Sequence, residues 1–426
     1  MKPTNIRWRV FALLAAASFV SYFLRSNLSI VAPQMMEDLQ LTELQWGQVM
    51  AAFIAGYTLF QFPGGIFADK KGPRLALTLI AVFWTLSTIL IIVVPGPDSF
   101  SVSVILGSLL VIRFLTGVTH APIFPLMNTG ISRWFPAGAW ALPSGLGSTG
   151  LTLGYAAAAP ILVWLTLEYG WRTAFVIVSP LGAMVAAAWW WYARDYPHDH
   201  ASVNEAEVDL IETDRAAPVL TPINPPGWLR LLKNRDILFL TIAYTGSNFV
   251  FYSAFSWFPY YLVKVRAFDP QVGAWVTSSQ WIAGAAGAAI GGWLCDWLCK
   301  RVGIRKGCRW PIVFSLLTAG VALVVGAFTA SAYAAAAMLG LCFFFHQLSE
   351  GAYWSSSIGI GGQLAGAAGG IMNTGANVMG IVNAMLVPLF AQFFGWPFAI
   401  ASGAGFLLLS SVLVCFVRAD KPVSLN

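Results

Sequence analysis

Long apolar runs dominate this 426-residue sequence, and short polar segments separate them. A membrane-spanning helix needs about 20 consecutive apolar residues, so each run is long enough to cross a bilayer. Only 10% of the residues are charged and 58% are hydrophobic, whereas about 25% are charged in an ordinary soluble protein. This excludes a soluble enzyme, a disordered tail and a secreted disulfide scaffold. We predict an all-α integral membrane protein with twelve transmembrane helices, at roughly 10–32, 46–68, 75–95, 102–127, 140–165, 172–193, 237–263, 271–298, 310–329, 331–358, 365–394 and 396–417.

Basic residues are unevenly distributed among the segments between the runs. Of the 24 lysines and arginines, 19 lie in the termini and in the segments that follow even-numbered runs, and three lie in the other segments. The positive-inside rule therefore places both termini in the cytoplasm of a multi-pass protein of the cell's inner (plasma) membrane. The net charge of +6 reflects this topology, and no nucleic-acid partner is expected.

One long polar segment divides the runs into two sets of six. It predicts an N-terminal six-helix bundle at 1–193, a cytoplasmic linker at 194–236 and a C-terminal six-helix bundle at 237–426. The second half of the linker is rich in proline, and its stretch EAEVDLIETD is expected to form a short surface helix.

Three of the five cysteines lie near the cytoplasmic end of the eighth run: Cys295, Cys299 and Cys308. A disulfide is not expected on this reducing side of the membrane. The pair Cys295/Cys299 has helical spacing, but without a nearby histidine it makes an incomplete metal site. We expect these cysteines to pack in the core, and we expect neither a metal nor a cofactor.

A short motif at the end of the second run recurs at the end of the eighth. The first copy is Gly65-Ile-Phe-Ala-Asp69-Lys70-Lys71-Gly72-Pro73-Arg74, and the second keeps Gly292-Trp-Leu-Cys-Asp296. Because these two runs are equivalent in a six-plus-six duplication, an internal repeat predicts the second copy at this place. Gly65 lets the helix end pack closely, Asp69 can cap a neighbouring helix, and Lys70 and Arg74 stay cytoplasmic. We expect a latch between helices of one half that stabilises one of two conformational states.

This motif resembles the loop signature of the major facilitator superfamily. Further segments are similar to its anion:cation symporter family: Tyr22-Phe-Leu-Arg25-Ser-Asn27-Leu28, Arg113-Phe-Leu-Thr-Gly117, Ala121-Pro-Ile-Phe-Pro125, Trp134-Phe-Pro136, Gly170-Trp171-Arg172, the linker ARDYPHDHASVNEAE, Trp257-Phe-Pro-Tyr-Tyr-Leu262 and Asn373-Thr-Gly375-Ala-Asn377. The resemblance covers essentially the whole chain. It implies the major facilitator fold, two pseudo-symmetric six-helix bundles, and the transport of organic anions such as hexuronates or aldonates, commonly with protons.

All lysines and arginines except two lie in the termini or in the segments between the runs. Arg25 lies inside the first run and Arg113 inside the fourth. Ionisable groups inside a bilayer are costly and usually face a cavity, and a guanidinium matches a carboxylate with two parallel hydrogen bonds. We interpret both arginines as a site for a substrate anion, the alternative for Arg25 being a side chain that reaches the membrane surface. The resemblance implies the same role for Arg25, because its position is the family's anion-binding one.

Three other titratable side chains within the runs are candidates for proton coupling. His120 follows Arg113 by seven residues and projects from nearly the same helix face. Members of the resembling family generally have a glutamate at this position and an aspartate where this chain has Leu24. His120, or the i,i+4 pair His346/Glu350, is therefore the candidate that replaces those carboxylates. The alternatives are a structural histidine and a hydrogen bond between packed helices.

Polar side chains at further positions within the runs are expected to shape the substrate pocket, because buried amides and phenols need partners. They are Tyr22, Asn27, Tyr57, Asn248, Tyr252, Trp354, Ser355, Asn373 and Asn377.

The sequence thus predicts a monomeric, proton-coupled secondary transporter of an organic anion, with alternating access to a midplane site between two bundles. The alternative is a uniporter or exchanger, or a carrier of a bulkier carboxylate such as a siderophore-like or aromatic acid, without proton coupling. A membrane sensor of the same fold is a candidate from another class. We expect no enzyme, since no phosphate loop or catalytic triad is present in the sequence.

Overall fold

The chain is described by a computed structural model that covers residues 2–212 and 226–423. These residues are almost entirely helical, and their helices divide into two bundles and a connecting segment. The first bundle contains α1 (Ile6–Ile30), α2 (Ala32–Asp38), α3 (Glu43–Lys71), α4 (Pro73–Ile92), α5 (Val102–His120), α6 (Ile123–Trp134), α7 (Ala141–Val178) and α8 (Pro180–Tyr192). The connecting segment contains α9 (Glu205–Glu212) and α10 (Pro226–Lys233).

The second bundle follows without another long connection. It contains α11 (Arg235–Tyr252), α12 (Phe258–Tyr260), α13 (Pro270–Val302), α14 (Ile304–Phe328), α15 (Ala332–Leu348), α16 (Glu350–Gly361), α17 (Ala365–Phe394), α18 (Trp396–Ala401) and α19 (Gly403–Val414). Wider π-helical turns at Ser253–Trp257 and Tyr261–Val265 flank α12. Such turns re-aim side chains within a helix and are frequent at functional sites.

Ten helical stretches in the described residues are long and apolar enough to cross a membrane. Two of them, Ala141–Tyr192 and Ala332–Phe394, contain 52 and 63 residues. Straight helices of these lengths would measure about 80 and 95 Å, far more than the roughly 30 Å core of a bilayer. The first is broken at Gly170 (φ 77°) and the second at Gly362 (φ 55°). Residues that carry a side chain rarely adopt a positive φ, so glycine occupies both positions. Each stretch therefore supplies two spans, which confirms the predicted twelve.

Large apolar side chains cover the outside of the bundles. Leu167, Val321 and Leu59 are 72%, 65% and 64% exposed. Apolar surface of this extent is the surface that a bilayer requires rather than one that faces water. The outer faces of the helices therefore agree with the composition of the sequence.

The two bundles contact each other through equivalent helices. The first half of α7 packs along α13, and α3 and α6 pack along α17. Small residues line these contacts, because the helix backbones approach closely.

The helix α9 joins the connecting segment to the start of the chain. Glu207 accepts hydrogen bonds from the backbone N–H groups of Ile6 and Arg7 (3.0 and 3.1 Å), from the Arg7 guanidinium (3.0 Å) and from the Thr4 hydroxyl. Burial raises the pKa of Glu207, but these hydrogen bonds and the Arg7 charge outweigh burial and hold the pKa below its usual value. The predicted surface helix is thus present, although its last two residues and most of the proline-rich half of the linker lie outside the described residues.

Candidate functional site

A cavity of about 530 Å³ lies between the two bundles. The first bundle contributes α1, α3, α5, α6 and α7 to its walls, and the second contributes α11, the following π-helical turn, α15, α16 and α17. Nine of the predicted substrate-binding residues line it: Tyr22, Arg25, Tyr57, Arg113, Asn248, Tyr252, Trp354, Asn373 and Asn377. Residues far apart in sequence are therefore brought together by the packing of the two halves.

The cavity is open at one end and closed at the other. Met385 and Ile381, which line its open end, are 70% and 51% exposed. At the opposite end the rings of Phe124 and Trp354 meet across the bundles, with centroids 5.5 Å apart. Both rings are almost fully buried, so they form the floor of the cavity.

Arg25 is held by aromatic rings at the cavity wall. Its Nη1 donates a hydrogen bond to the Tyr22 hydroxyl at 3.1 Å. Its guanidinium carbon lies 4.4 Å from the centre of the Tyr57 ring and 5.1 Å from that of Phe53. Contacts of this kind orient a guanidinium without neutralising its charge.

Arg113 lies deeper and is only 2% exposed. Its guanidinium carbon is 4.6 Å from the centre of the same Phe53 ring. Its Nε and Nη1 have no hydrogen-bond partner among the described residues. Within residues 2–212 and 226–423, no carboxylate oxygen lies within 4.0 Å of a guanidinium nitrogen of Arg25 or Arg113. A buried cation without a counter-ion is costly, so both guanidiniums are able to bind an anion that enters the cavity.

Glu350 faces the cavity from the second bundle. Its Oε2 accepts hydrogen bonds from the Tyr244 hydroxyl (3.0 Å) and from the Trp354 indole (3.1 Å). Its carboxyl group is thus linked to the Trp354 ring of the floor and to α11. The arrangement connects a titratable group to two helices of one bundle.

No hydrogen bond or ion pair joins His346 to Glu350 in the described structure, although their spacing predicts one. Its Nδ1 lies 3.2 Å from the Gln347 side chain, and its Nε2 has no hydrogen-bond partner among the described residues. The reason is a break between α15 and α16 at Ser349, whose N–H donates to the His346 carbonyl three residues back. This tighter turn changes the angular relation that an uninterrupted helix gives to i and i+4.

His120 lies behind the cavity wall rather than in it. Its Nδ1 is 2.9 Å from the Ser21 hydroxyl, and its ring stacks on Trp84 with centroids 5.0 Å apart. Phe53 separates it from the open space, with centroids 6.1 Å apart. In this conformation its environment is that of a packed histidine.

Two predicted pocket residues lie outside the lining. Asn27 is 2% exposed and accepts a hydrogen bond from the backbone of Leu28, while Ser355 points to Cys308, with Oγ and Sγ 3.7 Å apart. Asn27 is two residues from Arg25 and Ser355 is one residue from Trp354. At about 100° per residue, the two-residue offset turns Asn27 to the far side of α1 from Arg25. Ser355 faces α14 instead of the cavity.

The structure also adds lining residues that the sequence analysis missed. Phe53, which contacts both arginines, and Tyr244, which donates to Glu350, are the most important. Each stands four residues before a predicted lining residue, Tyr57 and Asn248 respectively. Helical spacing from those two residues was the signal that identifies them.

The closed end of the molecule is held by the duplicated motif. Asp69 accepts hydrogen bonds from the backbone N–H groups of Gly366 (2.9 Å) and Ala367 (2.8 Å) at the start of α17, and from the Thr129 hydroxyl (2.7 Å). It therefore caps a helix of the second bundle. The expectation of a latch within one half is incomplete: the Thr129 contact lies within the first bundle, but the two backbone contacts join the two halves.

Asp296 makes the reciprocal contact from the second bundle. Its two oxygens accept from the backbone N–H groups of Ala141 and Leu142, both at 2.9 Å, at the start of α7. Each half thus caps the other, as a pseudo-twofold relation requires. We call these two contacts the interbundle latch, formed by Asp69 with Gly366–Ala367 and by Asp296 with Ala141–Leu142.

Glycines allow the helices to approach at both parts of the interbundle latch. A Cβ added to Gly65 would lie 2.2 Å from the Gly366 carbonyl oxygen, and one added to Gly292 would lie 2.5 Å from the Ala141 carbonyl oxygen. Backbone atoms cannot move aside as a flexible side chain can. The glycine of each Gly-x-x-x-Asp copy is therefore required for the contact that its aspartate makes.

The rest of the first motif acts within the first bundle. Gly72 has φ 83° and ends α3, while Arg74 donates to the Trp190 carbonyl (2.8 Å) and, through its backbone, to Asp195 (2.9 Å). Lys70 is exposed. These residues fix the turn between α3 and α4 and do not reach the second bundle.

Known proteins resemble the chain along nearly its full length. It is 30% identical to the probable sulfoacetate transporter SauU of Cupriavidus necator, over 88% of this chain and 85% of that protein. It is 29% identical to the hexuronate transporter of Bacillus subtilis, over 97% of this chain and 98% of that protein. Among solved structures, the proton:xylose symporter XylE matches with a TM-score of 0.77 at 12% identity, covering 98% of this chain and 97% of its own. The transporter FucP in the outward conformation matches with a TM-score of 0.72 at 15% identity, covering 96% and 98%. Residues 14–384 match the model of the Major Facilitator Superfamily, and the chain belongs to this superfamily of membrane transporters.

Proposed function

We propose that the protein is a secondary active transporter that moves an organic anion through the cavity between its bundles. The observation that carries the proposal is the pair of guanidiniums at Arg25 and Arg113, which face one cavity and lack an acidic partner among the described residues. The natural counter-ion of such a pair is a carboxylate or sulfonate of the substrate.

The relatives support this class of substrate. Those named above carry sulfoacetate and hexuronate in their names, and a further relative, 28% identical over 91% of this chain and 86% of its own length, is a probable galactarate/D-glucarate transporter of Bacillus subtilis. All three names denote acidic molecules. The polar side chains Asn248, Asn373 and Asn377 at the cavity wall suit hydroxyl groups of such a substrate.

The interbundle latch supports alternating access. It closes the end of the molecule where the basic segments around 69–74 and 299–309 lie, which is the cytoplasmic end by the positive-inside rule. The cavity then opens toward the outside. Release of the latch and closure of the wide end would turn the same site to the cytoplasm, since the bundles move as units in this type of carrier.

Glu350 is the group that we propose to couple protons to transport. It faces the same cavity as the two arginines, and its partners Tyr244 and Trp354 connect it to the cavity floor. His120 is separated from the cavity by Phe53, and no hydrogen bond or ion pair joins His346 to Glu350 in the described structure. A carboxyl group between helices that must move is suited to exchange a proton with each side in turn.

A second candidate substrate class follows from the walls of the cavity. Ten of the described residues that line it are aromatic, among them Phe53, Phe124 and Trp354. Such walls favour an anion with an apolar or aromatic body over a small hydroxylated acid. A carrier of an aromatic carboxylate, with or without proton coupling, is therefore the alternative.

Uptake into proteoliposomes tests the proposal. Purified wild type, Arg25→Ala and Arg25→Lys are compared with Lys264→Ala, which removes an exposed charge, using radiolabelled hexuronate, glucarate, sulfoacetate and an aromatic acid. We expect uptake of at least one acid by the wild type and the control, its loss in Arg25→Ala, and little rescue by Arg25→Lys because the ammonium lacks the guanidinium fork. Normal uptake by Arg25→Ala would show that the anion site is assigned wrongly.

Coupling is tested in the same vesicles with an imposed pH gradient. We expect the gradient to drive accumulation in the wild type, and we expect Glu350→Gln to keep substrate exchange but lose this accumulation. If uptake ignores the gradient, the protein is a uniporter or exchanger. Gradient-driven accumulation by Glu350→Gln that equals that of the wild type would exclude Glu350 as the coupling group.

A further inference from the structure

Three cysteines converge at the closed end of the second bundle, outside the cavity and the interbundle latch. Cys295 and Cys299 lie one turn apart on α13, and Cys308 faces them from α14. The Cys308 sulfur is 3.8 Å from each of the other two, and all three sulfurs lie within 4.8 Å of one another. The spacing of the pair was visible in the sequence, but the approach of Cys308 depends on how α14 packs.

The separation of the sulfurs fits one metal ion. Zn–S bonds of about 2.3 Å at tetrahedral angles place the sulfurs about 3.8 Å apart. The distances from the Cys308 sulfur to the Cys295 and Cys299 sulfurs already have this value without a bound ion. A small closure of the third pair completes the triangle.

The surroundings of the cluster keep water and other ligands away. Cys295, Cys308 and Cys299 are 0%, 1% and 6% exposed. A Cβ added to Gly307 would lie 2.5 Å from the Cys299 backbone nitrogen and 2.6 Å from its sulfur, so the glycine lets α14 pack closely against the thiols. The Ser355 hydroxyl on α16 lies 3.7 Å from the Cys308 sulfur.

The charge of the neighbourhood suits bound thiolates. Five basic residues lie in the segment 299–309: Lys300, Arg301, Arg305, Lys306 and Arg309. A divalent ion with three thiolates carries one net negative charge, and nearby cations stabilise it. Binding releases the three thiol protons to solvent, so charge and protons balance.

We propose that Cys295, Cys299 and Cys308 form a binding site for one soft, thiophilic d10 metal ion of the zinc group. Thiolate ligands select such ions over magnesium or calcium. All three ligands belong to the second bundle, so a bound ion stiffens α13 against α14 without bridging the halves. The site also flanks Asp296, and it therefore fixes the helix end from which the second part of the interbundle latch projects.

Cadmium serves as the probe, because thiolate-to-cadmium charge transfer gives an ultraviolet band that other ligands do not. The purified wild-type protein, reduced with a thiol-free reductant and desalted, is titrated with Cd²⁺. We expect the band to saturate at one ion per chain, a chelator to reverse it, and Zn²⁺ to compete. We also expect bound Cd²⁺ to raise the midpoint of thermal unfolding, because a ligand of the folded state stabilises it by mass action.

Cysteine variants identify the ligands. Cys308→Ser and Cys295→Ser are expected to weaken Cd²⁺ binding at least a hundredfold, since even changes behind the ligands of a metal cost about 10- to 100-fold. Cys415→Ser is the matched control, because Cys415 is a free, exposed cysteine on α19's C-terminal side, and its binding should equal that of the wild type.

The titration of the wild type remains decisive even if a variant does not fold. A wild-type protein that gives no saturable band overturns the proposal, and so does a folded Cys308→Ser variant that binds Cd²⁺ as the wild type does. Neither result depends on transport, so the metal site and the proposed function are tested separately.

Discussion

The replacement Asp69→Asn tests whether the interbundle latch controls the balance between two conformations. The aspartate accepts two backbone hydrogen bonds across the halves, one on each oxygen, at 2.9 and 2.8 Å. Asparagine keeps one acceptor oxygen and turns an NH₂ group toward the second N–H, so one of these hydrogen bonds is lost. A hydrogen bond to a charged group contributes about 1.5–3 kcal/mol, which corresponds to about a 10- to 150-fold change in the ratio of closed to open latch.

Thiol labelling at the closed end measures this ratio. Ser357 is fully buried on α16 and accepts a hydrogen bond from Asn128 across the bundles at 2.6 Å. A Ser357→Cys replacement, made in a Cys415→Ser background, places a reactive thiol where only an open latch exposes it. The labelling rate follows the minor open population, so Asp69→Asn should raise it by at least about tenfold.

The matched control is Asp420→Asn, which neutralises an exposed acid at the same end of the molecule. It should leave the labelling rate within about twofold of its starting value. A folded Asp69→Asn protein whose rate is equally unchanged would refute the reasoning. The latch would then be only a packing contact that persists in both conformations.

Three other replacements address separate features. Gly65→Ala should also raise labelling at position 357, because its Cβ would lie 2.2 Å from the Gly366 carbonyl, and an unaltered rate would contradict the need for close approach. Arg113→Met should abolish ligand-induced thermal stabilisation. It should also make the ligand-free protein more stable by about 1–3 kcal/mol, because it removes the buried Nε and Nη1, which lack hydrogen-bond partners. A loss of ligand-free stability would argue against an uncompensated charge. Glu207→Gln should destabilise the contact of α9 with the N-terminus by about 1–2 kcal/mol at pH 7, measured as faster amide hydrogen exchange in residues 4–8. The pKa of Glu207 is depressed in the folded protein. The stabilisation by its carboxylate is therefore complete above the unfolded pKa of about 4.3 and disappears as the pH falls through the folded pKa. The exchange rates of wild type and variant should converge in acid and should differ near pH 7.

Much of the architecture was predictable because the bilayer imposes simple rules on sequence. The twelve spans and the superfamily are confirmed, and the scarcity of charge pointed to Arg25 and Arg113. The duplicated Gly-x-x-x-Asp pattern indicated where the latch lies. These features depend on residue type and position along the chain, which a sequence displays directly.

Features that depend on rotation about a helix axis were harder to predict. A helix that is apolar all round has no hydrophobic periodicity that identifies its inner face. Only the four-residue spacing from Tyr57 pointed to Phe53, and Asn27 was included although it lies on another face. The separation of His346 from Glu350 results from the tighter turn at Ser349, which spacing alone does not reveal. The sequence also did not reveal that Asp69 contacts the second bundle, because the groups that donate to it there are backbone N–H groups, which nearly every residue has.

The choice of backbone donors has an evolutionary consequence. Each contact of the interbundle latch depends on one carboxylate and one glycine in the motif, while the opposite helix contributes only its first peptide groups. No side chain of α7 or α17 has to match the aspartate, and Leu142 shows that a donor position need not be small. Gly366 is the exception, because a Cβ there would lie 2.7 Å from the Asp69 carboxylate. A joint between two large bodies therefore needs very little specific sequence: a carboxylate, the glycine four residues before it and, at the start of α17, Gly366.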